Sequence, residues 1–385
     1  MPDFNDRGLD LPVFQVLKGA DLNAGRESKS SYLPFLRAFV LTVLAFAVLC
    51  MAFTYVMDPF YHYHRPWFGM PAVLTEKEYQ IPGTLRNFEY DAVLAGSSMI
   101  ENNDNSWYDD AFGVRTIKAA RSYGGIADLC WMLDEAFESR QVKKVFFNLD
   151  PAALIGAPET TFEASGCPMY LYDRNPFNDL KYLLNKDVLL EKIPYELAQA
   201  ASGYNENLSY SWAEGKDFSR QGALEHYSRQ AEVLPMNPPD TYRGNVEGNI
   251  RLLQQEIGNH PDTEFLFFLP PYSILWWDNA LRIGEEEAYL YAQEEVIEAL
   301  LPYENVRIYD YQNETDVTTN LDYYMDTVHF SPEINFRICC WMADGYGRLD
   351  ADSFRSVLAE TKRLAGEYEA GQIRQLEKES AFRYE

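Results

Sequence analysis

Five short apolar runs, separated by segments with helical spacing, leave this chain few ways to build a core. The runs are Asp91–Ala95, Val114–Ala120, Lys144–Asp150, Glu264–Leu269 and Val306–Tyr309. They end at Gly96, at Gly124-Gly125, in the polar pair Asn148 and Asp150, and at Pro270-Pro271. Between them, Ile126–Ser139 sets Ile126, Leu129, Leu133 and Phe137 on one helical face, and helices are predicted near Asn245–Asn259 and Glu285–Leu301. Ser331-Pro332-Glu333 reads as the start of a last helix, with Ser as N-cap and Pro in the first turn. Strands that alternate with helices pair in parallel under helices on both faces, so an α/β fold with a central parallel sheet of about five strands is predicted. Ligands of such sheets bind beyond the strand carboxyl ends. Ser98, Gly124, Asn148, Pro271 and Asp326 all follow strand ends and can meet on one rim.

The alternation pauses over residues 151–240, a stretch rich in Tyr, Asn and Pro that reads as an insertion over one end of the sheet. Residues 58–87 read as a connecting stretch, 88–349 as the α/β domain, and 350–385 as a charged, solvated helical tail with sparse apolar positions at Phe354, Leu358 and Leu364.

Ala38–Met57 carries no charge over 20 residues, the length that crosses a ~30 Å hydrocarbon core. Tyr55 near its end, and Tyr61, Tyr63 and Trp67 beyond it, read as an interfacial aromatic belt. Lys18, Arg26, Lys29 and Arg37 precede the run, against Arg65 and Lys77 after it. That bias places residues 1–37 in the cytoplasm and the large domain outside the cell membrane. A cleaved signal peptide is the rival, with Ala45-Phe46-Ala47 as its cleavage motif, although the apolar run continues ten residues beyond it. The net charge of −26 argues against a nucleic-acid partner. The five cysteines form no C-x-x-C pair, so neither a metal nor another cofactor is expected; Cys167 could enter a disulfide outside the cytoplasm.

Two short motifs carry chemistry. Gly96-Ser97-Ser98 follows the first strand, and Asp326-Thr327-Val328-His329 precedes the last helix. A serine hydroxyl needs a general base to attack an ester, and the imidazole base needs an acid to orient it. His62 and His64 lie beside the membrane run and read as headgroup-facing, while His226 and His260 have no ligand partners at useful spacing.

The Gly96-Ser97-Ser98 turn, Gly124-Gly125 and Asp326-x-x-His329 resemble the SGNH (GDSL-type) hydrolases over roughly residues 88–345. The single N-terminal anchor and the Gly-Ser-Ser turn look like the membrane-anchored DltD-like proteins of teichoic-acid D-alanylation, to which alginate O-acetylation proteins are similarly related. The resemblance implies a flavodoxin-like three-layer sandwich. It maps Ser98 to the nucleophile, His329 to the base and Asp326 to the orienting acid, with Ser97 the competing nucleophile. Backbone N–H groups of Ser98 and Gly124, and the Asn148 side chain, are expected to hold the oxyanion, and Asp150 is a candidate substrate contact. The family's Gly-x-Asn-Asp block is absent as such. The resemblance further implies an anchored extracytoplasmic serine esterase or O-acyltransferase acting on an envelope polysaccharide or teichoic-acid-like polymer, with envelope-biosynthesis proteins as candidate partners. The alternatives are a non-catalytic scaffold of the same fold and a glycan-binding module built on the Tyr-rich insertion.

Overall fold

The computed structural model describes residues 24–384. Residues 1–23 of the expected cytoplasmic segment lie outside the described residues. Helix α1 (Ala24–Met57) contains an apolar span, Tyr32–Met57, with a mean hydropathy of 2.4. At 1.5 Å per residue that span is long enough to cross a bilayer, and a signal sequence would form the same kind of helix.

The five apolar runs form one parallel sheet. Its strands are β1 (Ala92–Gly96), β2 (Thr116–Ala120), β3 (Lys144–Asn148), β4 (Glu264–Leu269) and β5 (Val306–Asp310). They lie in the order β2-β1-β3-β4-β5, the flavodoxin-like arrangement, with Gly96 opposite Ala120 and Asn148 opposite Phe268. The strands are buried on both faces, which explains why they read as continuous apolar runs. From β1 the chain moves one way to β2, then returns past β1 to β3 and continues outward. Right-handed crossovers therefore put the first connecting helix on the opposite face from the rest. That first helix is α3 (Asn105–Phe112), which packs against the late helix α8 (Pro332–Ala343). The other face carries α2 (Lys77–Asn87), α4 (Ile126–Ser139), α5 (Arg243–Asn259) and α7 (Glu286–Leu300), packed in series. Ser331 stands at the N-cap of α8 with Pro332 next, as expected, but its hydroxyl is buried without making the capping hydrogen bond.

Three expectations change. The stretch 58–87 is more than a connector, because α2 buries Gln80 to Leu85 against α4 and β2. Tyr61 is not a belt residue; its ring is buried and its hydroxyl donates to the Val73 carbonyl at 3.1 Å. The tail is not a free helix, because one face of it is buried against the domain. Helix α9 (Phe354–Tyr368) buries Phe354, Leu358, Leu364, Ala365 and Tyr368, packing on α6 (Ile274–Arg282) and α7. The chain end then pairs Arg383–Tyr384 with Ser228–Arg229 of the insertion. An amphipathic helix with a narrow apolar stripe looks solvated in sequence until a complementary surface is present to cover it.

One buried acid gives this packing a pH signature. Glu256 of α5 is 4% exposed, and its Oε2 has no hydrogen-bond partner among the described residues. Burial, with Asp134 of α4 adding repulsion, pushes its carboxyl up to about 8. The folded chain holds this proton where the unfolded chain, near 4.5, has released it. Its contribution is therefore complete below pH 4.5 and is lost as pH rises toward about 8. Stability of the parent chain against thermal unfolding should fall across that window, by at most about 1.4 kcal/mol per pH unit, and Glu256→Gln should flatten the dependence.

Candidate active site

The segment leaving β1 begins with a close approach. A Cβ on Gly96 would lie 2.8 Å from both Asn148 Cβ and Ile100 Cγ2, so only glycine lets β1 end this near the tip of β3. The chain then turns through a short 3-10 helix, Ser98–Ile100, with Ser97 as its N-cap. Ser97 is buried, and its Oγ is committed to Asn148 Oδ1 at 3.3 Å and to the Met99 amide at 3.4 Å. Ser98 stays half-buried at the rim, its Oγ 2.7 Å from His329 Nε2. The imidazole thus meets Ser98, while Ser97 braces the turn from beneath.

The other motif folds as a tight loop. The Met325 amide donates to the His329 carbonyl at 2.9 Å, and the Ser331 amide to the Tyr323 carbonyl at 2.8 Å. Asp326 Oδ1 accepts the amides of Val328 and His329, and its Oδ2 lies 2.6 Å from His329 Nδ1. A proton on Nδ1 directed at the carboxylate leaves Nε2 free to accept from the Ser98 hydroxyl. Burial pushes the Asp326 carboxyl up, but the His329 ring and the two backbone amides outweigh it and hold the group below the usual carboxylate range. Its ionised form supports the fold at every pH above the unfolded value of 3.8, and that support fades only as pH falls through the lower folded value. The loop is moored to the segment after β4, where Ser273 Oγ donates to the Thr327 carbonyl at 2.7 Å and the Tyr324 hydroxyl to Pro271 at 2.6 Å.

The expected oxyanion donors fare differently. The Ser98 amide opens a helical turn, where first-turn N–H groups have no intrahelical partner. Asn148 is 1% exposed, and its Nδ2 is buried with no partner among the described residues, an orphaned donor beside the Gly96–Ser98 turn. Gly124 is a correction. Its amide donates to the Arg121 carbonyl at 2.9 Å and so is spent on closing the loop after β2. Its missing side chain serves that turn, since a Cβ there would press on Arg121 at 2.5 Å. Asp150 caps the helical turn Pro151–Ile155 through the Ala152 amide at 3.1 Å. Burial raises its carboxyl above the ordinary range.

Several supports were not legible in the motifs. Trp212, from the insertion, packs edge-on against His329 with ring centroids 5.0 Å apart, and its amide donates to Asn102 Oδ1 at 3.0 Å. Asn103 Nδ2 reaches Asn335 Oδ1 of α8 at 3.1 Å. Lys118, fully buried in β2, donates to the carbonyls of Glu101, Asn103 and Ser209, which staples the Ser98 turn to the insertion. A lysine inside an otherwise apolar strand was the one available signal for this staple. His62 pairs with Asp179 at 3.4 Å, and His64 stacks on Trp67. Cys167 is buried with a free thiol.

No protein-family profile matches the chain, and no curated protein sequence matches it. Among solved structures, it is similar to a Streptococcus pneumonia protein provisionally described as a platelet activating factor. The identity is 13%, and the match covers 69% of this chain and 88% of that one with a TM-score of 0.35. Similarity at that level transfers neither fold nor activity.

The close approach at Gly96 is testable. Gly96→Ala should destabilise the chain by about 1–3 kcal/mol in chemical denaturation, because the methyl must displace Asn148 or Ile100. A neutral result would show that β1 and β3 can part at this rim without cost.

Proposed function

We propose that this chain is a serine-dependent acyl esterase or O-acyltransferase of SGNH type, anchored by α1 with its large domain outside the cytoplasm. The observation that carries the reading is the continuous relay from Ser98 Oγ through His329 to Asp326, with contacts of 2.7 and 2.6 Å. Ser98 Oγ attacks the acyl carbonyl carbon while His329 Nε2 takes the hydroxyl proton, and Asp326 stabilises the resulting imidazolium. The carbonyl oxygen becomes an oxyanion facing the Ser98 amide and Asn148 Nδ2. Collapse breaks the ester C–O bond, and His329 returns its proton to the departing alkoxide. Water then releases the acyl group from Ser98 as a carboxylic acid; a sugar hydroxyl in its place gives transfer.

An ester-bearing envelope polysaccharide or teichoic-acid-like polymer is the substrate class we assign. Tethering raises the effective concentration of an enzyme at such a substrate. The surplus of acidic side chains disfavours a polyanion held by charge alone, so a neutral glycan ester or a cationic D-alanyl ester fits the surface better. Proteins of envelope-polymer assembly are the partners this placement suggests.

A fluorophosphonate probe tests the reading directly. It should label the full chain and the Ser97→Ala variant but not Ser98→Ala. A folded parent chain that resists labelling would favour a non-catalytic scaffold, which the occupied Gly124 amide already makes worth testing. Asp326→Asn should keep the fold and lower turnover of a small acetyl ester on the order of 10⁴-fold. Asn148→Ala should lower kcat by about 10²–10³-fold with little change in KM; an unchanged kcat would remove Asn148 from the oxyanion site.

A further inference from the structure

The C-terminal end of α1 does not leave the domain as a free stalk. Asp58, directly after the helix, gathers the amides of His62, Tyr63 and His64 at 2.7–3.0 Å and accepts the Tyr182 hydroxyl at 2.8 Å. Asp58 and Tyr61 both hold positive φ, +38° and +54°, in this knot. Such backbone persists only where its surroundings fix it, so the angle between helix and domain is set by the fold. Thr54 of α1 is buried, and its hydroxyl donates to the Leu183 carbonyl at 3.0 Å.

The contact also runs along the apolar span. Ala47, Cys50, Met51 and Thr54 recur at helical spacing as covered positions on a helix otherwise mostly exposed. The elements packed against α1 are two short helical turns of the insertion, Leu180–Leu183 and Val188–Lys192. From Thr54 back to Ala47 is about 10 Å of helix. The insertion therefore lies alongside residues belonging to the hydrocarbon-compatible segment rather than beyond its end.

The exposed side of this part of the insertion carries four large apolar side chains among its charged ones. Phe177 is 86% exposed and Leu190 75%, with Leu180 and Leu184 exposed between them. Phe68, 84% exposed, and Trp67 stand at the same end of α1, where Trp67 packs edge-on against Tyr55. Residues 177–192 carry three acidic and three basic side chains, so the segment is neutral on a chain of net charge −26. Lys181 and Lys186 are exposed and long enough to reach headgroups while their stems stay in apolar surroundings.

We propose that Phe177–Leu190 is a second membrane contact. It lowers its apolar side chains into the leaflet that α1 leaves and, with Trp67 and Phe68, seats the domain on the bilayer surface. Exposed large apolar side chains beside a spanning helix, on a neutral segment of an acidic protein, match an interfacial lipid surface, where apolar faces sink about 5–10 Å. The same insertion reaches His329 through Trp212, so the seat also fixes the height and tilt of the catalytic rim above the membrane. A substrate ester held near the bilayer surface is what such a seat would serve. The inference rests on α1 as a membrane span and is independent of the acyl-transfer chemistry.

The test uses the full chain in phosphatidylethanolamine–phosphatidylglycerol nanodiscs whose lipids are brominated at the 6,7 positions. Single tryptophans are added at Phe177→Trp, Leu190→Trp, Phe46→Trp within the span, and Tyr346→Trp at the β5 edge of the sheet. Added fluorescence from Phe177→Trp and Leu190→Trp should be quenched at least half as strongly as that from Phe46→Trp, with Tyr346→Trp unaffected. Quenching at Phe46→Trp alone would overturn the second contact while leaving the span intact. No quenching at Phe46→Trp would overturn the span and the seat together. Unquenched Phe177→Trp and Leu190→Trp in discs holding two chains cross-linked through this segment would assign the patch to a second copy instead.

Discussion

Parallel pairing of β1 to β5 forbids tight turns between them, so every connection must cross over the sheet and every strand points its carboxyl end at the same rim. The site depends on this constraint. Ser98 leaves β1, Asn148 ends β3, the Pro271–Ser273 segment leaves β4, and the Asp326–His329 loop is moored to that last segment. The strand order reverses between β2 and β3, which opens a crevice beside β1, and Ser98 sits there. Gly96 makes the arrangement tight enough for chemistry, since any side chain at that position would separate the Ser98 turn from Asn148.

The insertion gives the molecule its second organising feature. It touches the His329 imidazole through Trp212, accepts the buried Lys118 through Ser209, and packs on α1 through Leu180–Leu183. One segment therefore couples the apolar helix α1 to the rim, and the Asp58 knot removes the hinge that a simple linker would supply.

Much of the fold was legible because it rests on local signals. The strands announced themselves as apolar runs buried on both faces, and α4 and α7 by their spacing and flanking residues. Ser98, Asp326 and His329 were named from a family resemblance carried by two short motifs, with Ser97 left as a competitor, and the structure brings these three side chains together. Gly124 was misassigned. A glycine after a strand advertises close approach, but only the surrounding hydrogen bonds reveal whether the ligand is a substrate or the chain's own Arg121 carbonyl. The tail and Tyr61 failed similarly, since burial of an amphipathic stripe or a tyrosine ring depends on a surface assembled from distant residues.

By itself the sequence determined the alternation of elements, the apolar span and the three residue types needed for acyl transfer, all of them readable within a few residues of chain. Tertiary structure decided which serine meets the imidazole: Ser97 and Ser98 are chemically identical neighbours, and only the turn after β1 directs one hydroxyl at Asn148 and the other at His329. It also decided that Asn148 keeps a donor unpartnered among the described residues and that the insertion lies against α1. Each is a contact between segments far apart in the chain, set by how strands and helices pack, and no local pattern encodes it.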